Sequence, residues 1–209
     1  GRELALGFAV NGYIDPDKVM SKGGLVAGDV LLLTKPIGTG TLFAAHAQLK
    51  ARGRWIDSAL ESMMQSNKTA AECLSRFGSR ACTDVTGFGL LGHLVEMTRP
   101  SGVDAELSLS SIPILPGAEE TAAAGILSSL QPANIRLRRG IRNQDEWINN
   151  ERYPLIFDPQ TAGGLLASIP ADKADACVAE LKALGYPETA IIGRILPQGE
   201  AIEPIVLKA

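Results

Sequence analysis

The 209 residues contain little of what usually announces a particular chemistry: three cysteines, two histidines and only 5% aromatic residues. Cys73, Cys82 and Cys177 form neither an even set nor a C-x-x-C pair, so a disulfide framework and a zinc knuckle are both poorly supported. His46 and His93 each lack a second His, Cys or acid at ligand spacing, and read as helix-surface or satisfied core residues. No apolar run approaches the roughly 20 residues that cross a bilayer, and residues 1–12 lack the cationic start and cleavage site of a signal peptide. Twenty basic and 23 acidic residues leave a net charge of −3, too little positive field for sequence-independent nucleic-acid binding. The one basic cluster, Arg136, Arg138, Arg139 and Arg142, reads as a solvated loop or helix end. The expectation is a cytoplasmic protein with neither nucleic-acid nor membrane partners.

An apolar fraction of 45% suffices for one sizeable core. The chain opens without Met in a strand-like run over residues 3–11, closed by Asn11-Gly12, which reads as a protein entered part-way. Residues 1–14 are accordingly assigned as a leading strand and connection from a missing N-terminal part, and 15–209 as the domain itself. Residues 29–34 read as a short buried strand, followed by the turn Lys35-Pro-Ile-Gly-Thr-Gly40 and a helix over 41–51. Helices are predicted over 58–64 and 67–77, the latter with Asn67 as N-cap and Gly78 as its stop. A strand at 81–83 leads through a second glycine-rich turn to a helix over 90–97. Alternation over 103–109 predicts a half-buried strand; a short helix follows at 117–124, then a long irregular connection over 128–152. Strands at 155–157 and 165–169 flank a third turn, Asp158-Pro-Gln-Thr-Ala-Gly-Gly164. A helix over 171–184 and a strand over 190–196 complete the pattern. Strands and helices interleave without strict βαβ alternation, which predicts an α+β domain with a mixed sheet.

The stretch from Thr83 to His93 carries the most chemistry. A carboxylate, Asp84, sits at the end of a strand just before glycines that open a helix. Glycines let a backbone approach a ligand, and a helix N-terminus adds partial positive charge. An Asp beside them suits Mg²⁺, a hard cation that commonly joins one or two carboxylates to nucleotide phosphates. Gly87, Gly89 and Gly92 also match G-x-G-x-x-G, with Asp104 or Glu106 near the ribose-binding offset. The polar Thr83, Asp84 and Thr86 argue against a buried central strand there, and so against a dinucleotide fold. Helix-capping and close packing remain open for the same residues.

Thr83-Asp-Val-Thr-Gly-Phe-Gly-Leu-Leu-Gly-His-Leu-Val-Glu-Met97 resembles the central motif of the C-terminal domain of selenophosphate synthetases (selenide, water dikinases). Residues 6–12, 33–40, 112–117 and 158–166 resemble that family in the same order. The family belongs to the aminoimidazole ribonucleotide synthetase-like superfamily, so the resemblance implies an α/β/α layered domain with a mixed sheet. It also implies a parent enzyme that converts selenide, ATP and water to selenophosphate, AMP and phosphate with Mg²⁺. Most ATP and metal ligands, and the reactive Cys or Sec, would lie in an N-terminal half, leaving this part inactive alone and its parent a homodimer. Asp84 matches the family's metal-ligating Asp. Thr83, Thr86 and Gly87 follow only by proximity, as residues that orient Asp84 or contact phosphate.

Cys82, two residues before Asp84, reads as a buried structural cysteine rather than a nucleophile. Lys35 precedes the glycines of its turn rather than following them, so the turn is not a P-loop and packing is its expected role. Asp158 is expected to cap or turn the backbone. An alternative of another class stays open: a non-catalytic scaffold or interaction module of a larger fused protein.

Overall fold

The computed structural model describes residues 7, 9 and 11–209. In chain order it contains β1 (Val30–Leu33), α1 (Thr39–Ala47), α2 (Gly53–Met64), α3 (Lys68–Arg76), β2 (Cys82–Asp84), α4 (Gly89–Ser101) and β3 (Val103–Ser108). Then come α5 (Ala118–Ala123), α6 (Gln131–Asn134), α7 (Gln144–Trp147), β4 (Leu165–Ile169), α8 (Ala174–Ala183), β5 (Ala190–Pro197) and β6 (Ile205–Lys208). One six-stranded sheet runs in the order β2-β4-β1-β5-β3-β6. Its pairs are antiparallel except β3 with β6, which is parallel, so the sheet is mixed as predicted.

Successive strand residues point to opposite faces, and β1 shows what this does to an all-apolar run. Leu31 and Leu33 enter the larger core with Leu42 of α1, Ile56 of α2 and Leu90, Leu91 and Leu94 of α4. Leu32 enters the other core with Cys73 and Leu74 of α3 and Cys177 and Leu181 of α8. Helices therefore cover both faces, giving the layered α+β arrangement.

The strands at 165–169 and 190–196 and the helix at 67–77 fall where the pattern put them, within a residue or so at each end. Three expectations need correction. Residues 155–157 form no strand: Tyr153–Phe157 is a 3-10 helix, with Leu155 N–H donating to Arg152 O and Asp158 N–H to Leu155 O. Pro154 inside it lacks an N–H and its ring fixes φ near the helical value, which favours this turn over a ladder. Asn67 stands at the N-cap position of α3 but makes no capping bond; its Nδ2 donates to Gly163 O instead. Arg142 is not merely solvated, because its guanidinium pairs at 2.7 Å with the buried Asp104 carboxylate. Arg136, Arg138 and Arg139 are exposed as expected. The predicted strand over 3–11 falls largely outside the described residues.

Candidate functional site

β2 is an edge strand whose partner β4 runs antiparallel to both it and β1, so β1 and β2 end, and β4 begins, at the same edge of the sheet. The turns predicted to carry chemistry meet there. Asp84 ends β2 with an exposed side chain, beside Lys22, Cys82 and Thr83 in a shallow cleft of about 380 Å³. Among the described residues no cation pairs with its carboxylate and no hydrogen bond engages it.

The backbone after Asp84 is fastened at Val85, Thr86 and Gly87. Val85 N–H donates to Gly164 O (2.8 Å), and Thr86 O accepts from Gly89 N–H (3.1 Å) and Gln160 N–H (2.9 Å). Thr86 N–H donates to Nε2 of His93 at 3.0 Å. Gly87 O accepts from Nδ2 of Asn134 at 2.8 Å. Two glycines make this packing possible. A Cβ at Gly89, whose φ is +70°, would stand 2.8 Å from the Phe157 carbonyl carbon, and one at Gly163 would stand 2.2 Å from Val85 O. Gly87 differs, because nothing lies within 4 Å of where its Cβ would be. It borders a second cleft of about 450 Å³ with Phe43, Ser128, Ser129, Gln160 and Thr161. With Gly92, whose Cβ would stand 2.7 Å from Phe88 Cβ, the G-x-G-x-x-G spacing divides into one open glycine and two packing ones. With β2 at an edge and its neighbour antiparallel, it is not a dinucleotide turn.

The turn before β4 serves α1. Asp158, fully buried, accepts from Thr41 Oγ1 at 2.8 Å and from the backbone N–H of Gly40 and Thr41. Gln160 Oε1 accepts from the N–H of Gly38 and Thr39. Side chains from another segment therefore satisfy the first amides of α1 and supply an anion at the positive end of its dipole. Burial nonetheless pushes the Asp158 carboxyl up to about 6, against the lowering effect of these hydrogen bonds. This is the capping role expected for Asp158.

Lys35 is buried, and its ammonium donates to the carbonyls of Ser62, Gln65 and Ala162 at 2.8–3.1 Å. Desolvation lowers its pKa. All three of its protons are used within the fold, in keeping with the packing role. Cys82 is partly exposed, but desolvation first and the Asp84 charge second push its thiol up to about 12. At neutral pH it is a thiol, and a thiol is a poor nucleophile.

Thr83 is buried, with its hydroxyl 3.3 Å from Asp84 O. Thr86 directs its amide inward to His93 and its hydroxyl lies 3.2 Å from the same ring nitrogen. Thr83, Asp84, Thr86 and Gly87 thus share one strand end and turn, with Asp84 and Gly87 reaching solvent. His93 is buried at 3% exposure, with desolvation lowering its pKa first and the Glu96 and Asp84 charges opposing that. It proves a core residue with a specific partner. His46, by contrast, is exposed. Sequence reasoning gave no role to Gln160, Asn134 or Glu96, which fasten the turns. Gln160 lay inside a noted motif, whereas Asn134 carried no signal in the irregular connection.

No group of three or more His, Cys, Asp or Glu side chains able to hold a metal occurs among the described residues. A free carboxylate on a fixed backbone still fits Mg²⁺ as one ligand of several, since that ion keeps waters and takes one or two carboxylates plus phosphate oxygens.

The family described as "AIR synthase related protein, C-terminal domain" matches residues 26–203. The chain belongs to that family. Among curated proteins, it is 38% identical over 202 residues to "Selenide, water dikinase 2" of Peptoclostridium acidaminophilum, covering 95% of this chain and 57% of that one. It is 36% identical over 202 residues to "Selenide, water dikinase" of Clostridioides difficile, with the same two coverages. The chain thus spans little more than half the length of these relatives and matches their C-terminal half. Among solved structures, the hydrogenase maturation protein HypE in complex with ATP superposes with a TM-score of 0.67 at 20% identity, over 93% of this chain and 51% of that one. Thiamine-monophosphate kinase from Stenotrophomonas maltophilia superposes with a TM-score of 0.64 at 18% identity, over 93% and 54%. At such identities these two likenesses establish the fold of this family member and nothing more.

Proposed function

We propose that this chain is the C-terminal half of a selenide, water dikinase, which forms selenophosphate, AMP and phosphate from selenide, ATP and water. Its identity of 36–38% to relatives bearing that name carries the reading of the reaction. The observation that carries the site is the Asp84 carboxylate, exposed and unpaired at the end of a turn whose backbone is otherwise fixed. Asp84 contributes one ligand to Mg²⁺, with Thr83 behind it, Thr86 holding the turn and Gly87 leaving room for a phosphate group.

Mg²⁺ would offset the charge of the nucleotide phosphates during transfer. The chain's own part is positional: Val85, Thr86 and Gly87 are tied to Gly164, His93 and Asn134, so the carboxylate is presented without first having to be ordered. The remaining ATP and metal ligands and the reactive Cys or Sec belong to the N-terminal half, which makes this half inactive alone. The parent works as a cytoplasmic homodimer. No described helix is long and apolar enough to cross a membrane.

The test is selenide-dependent conversion of ATP to AMP by this chain joined to its N-terminal half, comparing the native protein with Asp84→Ala. Loss of AMP formation in a folded Asp84→Ala protein supports both reaction and site. Full turnover in Asp84→Ala sinks the site, and no AMP from the native protein returns the chain to the scaffold reading.

A further inference from the structure

Behind Asp84, the Thr86 amide and the side chains of His93, Glu96 and Lys22 form a connected line, of which the site assignment uses only the tie from Thr86 to His93. The Thr86 amide donates to His93 Nε2 at 3.0 Å. His93 Nδ1 lies 3.3 Å from Glu96 Oε2, within charge attraction but short of a full hydrogen bond. Lys22 Nζ meets the same Glu96 oxygen at 2.9 Å. A backbone amide can only donate, so Nε2 carries the lone pair and the ring proton sits on Nδ1, facing the Glu96 carboxylate. Lys22 gives Glu96 a cationic partner on its other side.

We propose that His93 is a positioning residue for Asp84: it anchors the Thr86 amide and thereby fixes the turn that presents the carboxylate, with Glu96 and Lys22 selecting the tautomer. The proposal rests on reading Asp84 as a Mg²⁺ ligand. Three observations support it. The ring is almost fully buried, and a buried polar group is costly unless it is bonded. It projects from α4 beside the fully buried Leu90, Leu91 and Leu94, so its base cannot drift. Thr86 lies two residues beyond Asp84, and its carbonyl is held independently by Gly89 and Gln160. The imidazole therefore fixes the amide of a residue whose carbonyl, in the following peptide unit, is already fixed. A histidine that merely filled the core would stabilise the fold without altering the affinity of Asp84 for a metal.

The experiment uses Mn²⁺ as the probe, measured as loss of the free-ion electron paramagnetic resonance signal, in the enzyme with both halves present and ATP bound. Native protein should bind Mn²⁺ and Asp84→Ala should lose affinity. His93→Leu should weaken binding by about tenfold, the low end of what loss of a partner behind a metal ligand costs. His93→Gln places an amide oxygen near the Nε2 position and should recover most of that loss. Native affinity in His93→Leu, or no recovery in His93→Gln, overturns the proposal. Should His93→Leu not fold, Glu96→Ala replaces it: weaker Mn²⁺ binding supports the tautomer argument and unchanged binding overturns it. Native affinity in Asp84→Ala defeats the site assignment itself and takes this proposal with it, an outcome distinct from all the others.

Discussion

Lowering the pH from 7 to 5 should stabilise the native domain relative to an Asp158→Asn variant. The native fold holds a proton on Asp158 up to about pH 6, because burial outweighs the hydrogen bonds from Thr41, Gly40 and Gln160. In the unfolded chain the carboxyl returns to about 3.9. Between those values the native state binds more protons than the unfolded state, so its stability rises as pH falls; above pH 6 both states are ionised and the dependence vanishes. Evaluated from about 6 and about 3.9, the gain between pH 7 and pH 5 is about 1 kcal/mol. Two other groups titrate abnormally in or near this window. His93, lowered by desolvation, works in the opposite direction, since its stabilising contribution is lost as pH falls through its folded value. Asp29, raised by burial, works in the same direction as Asp158. Both are present in both proteins and cancel in the difference. Urea unfolding at half-unit steps from pH 7.5 to 5 measures that difference through the midpoints at constant m. Midpoints of the two proteins that move in parallel, or a native protein that loses ground on acidification, would refute the account of Asp158.

Gly163→Ala should destabilise the domain by about 1–3 kcal/mol, because its Cβ would overlap Val85 O and separate the two turns; urea unfolding reads this, and native stability would falsify it. Arg142→Ala should cost about 1–3 kcal/mol by leaving the buried Asp104 carboxylate without its charge partner, less than for a wholly buried pair because the guanidinium is partly exposed. A thermal melt that superimposes on the native one would rule that out. Iodoacetamide at pH 7.5 should leave Cys73, Cys82 and Cys177 unmodified in the native chain, since burial holds all three thiols protonated. Mass spectrometry showing rapid alkylation of Cys82 would restore it as a candidate nucleophile.

The sheet and its two helical layers were legible because they rest on local pattern. Val30–Leu33 is apolar throughout and Leu165–Ile169 is apolar but for Ser168, and both are buried on both faces. Apolar spacing misled where one residue overrode it. Leu155-Ile-Phe157 reads as a strand by hydrophobicity, yet Pro154 before it and the i→i−3 bonds make Tyr153–Phe157 a 3-10 helix. Asn67 has the composition of a cap, but a carbonyl 96 residues away takes its amide. Asp84 was legible as a carboxylate before glycines. The bond from Thr86 to His93 was not, although only seven residues separate them, because spacing cannot say which way a backbone amide points. The fastening by Asn134 and Gln160 depends on segments brought together only by the fold.

Two strand-glycine-helix turns meet at this edge of the sheet, and the fold treats them differently. The first amides of α1 are consumed internally, Gly38 and Thr39 by Gln160 and Gly40 and Thr41 by Asp158, so that end of α1 offers nothing to an outside anion. At the start of α4 the carbonyls of Thr86 and Gly87 are fastened, while the amides of Gly87 and Phe88 meet no acceptor among the described residues. The difference lies in the carboxylate. Asp158 is buried against the amides it neutralises, whereas Asp84 is exposed. A turn whose amides are already met by side chains from elsewhere in the fold has no need of an outside ligand. One that keeps both the acid and two amides in reserve matches a metal-phosphate pair, whose cation takes the carboxylate and whose oxygens take the N–H groups. By this contrast, rather than by its glycines, the Asp84 turn is the one of the two suited to the chemistry proposed.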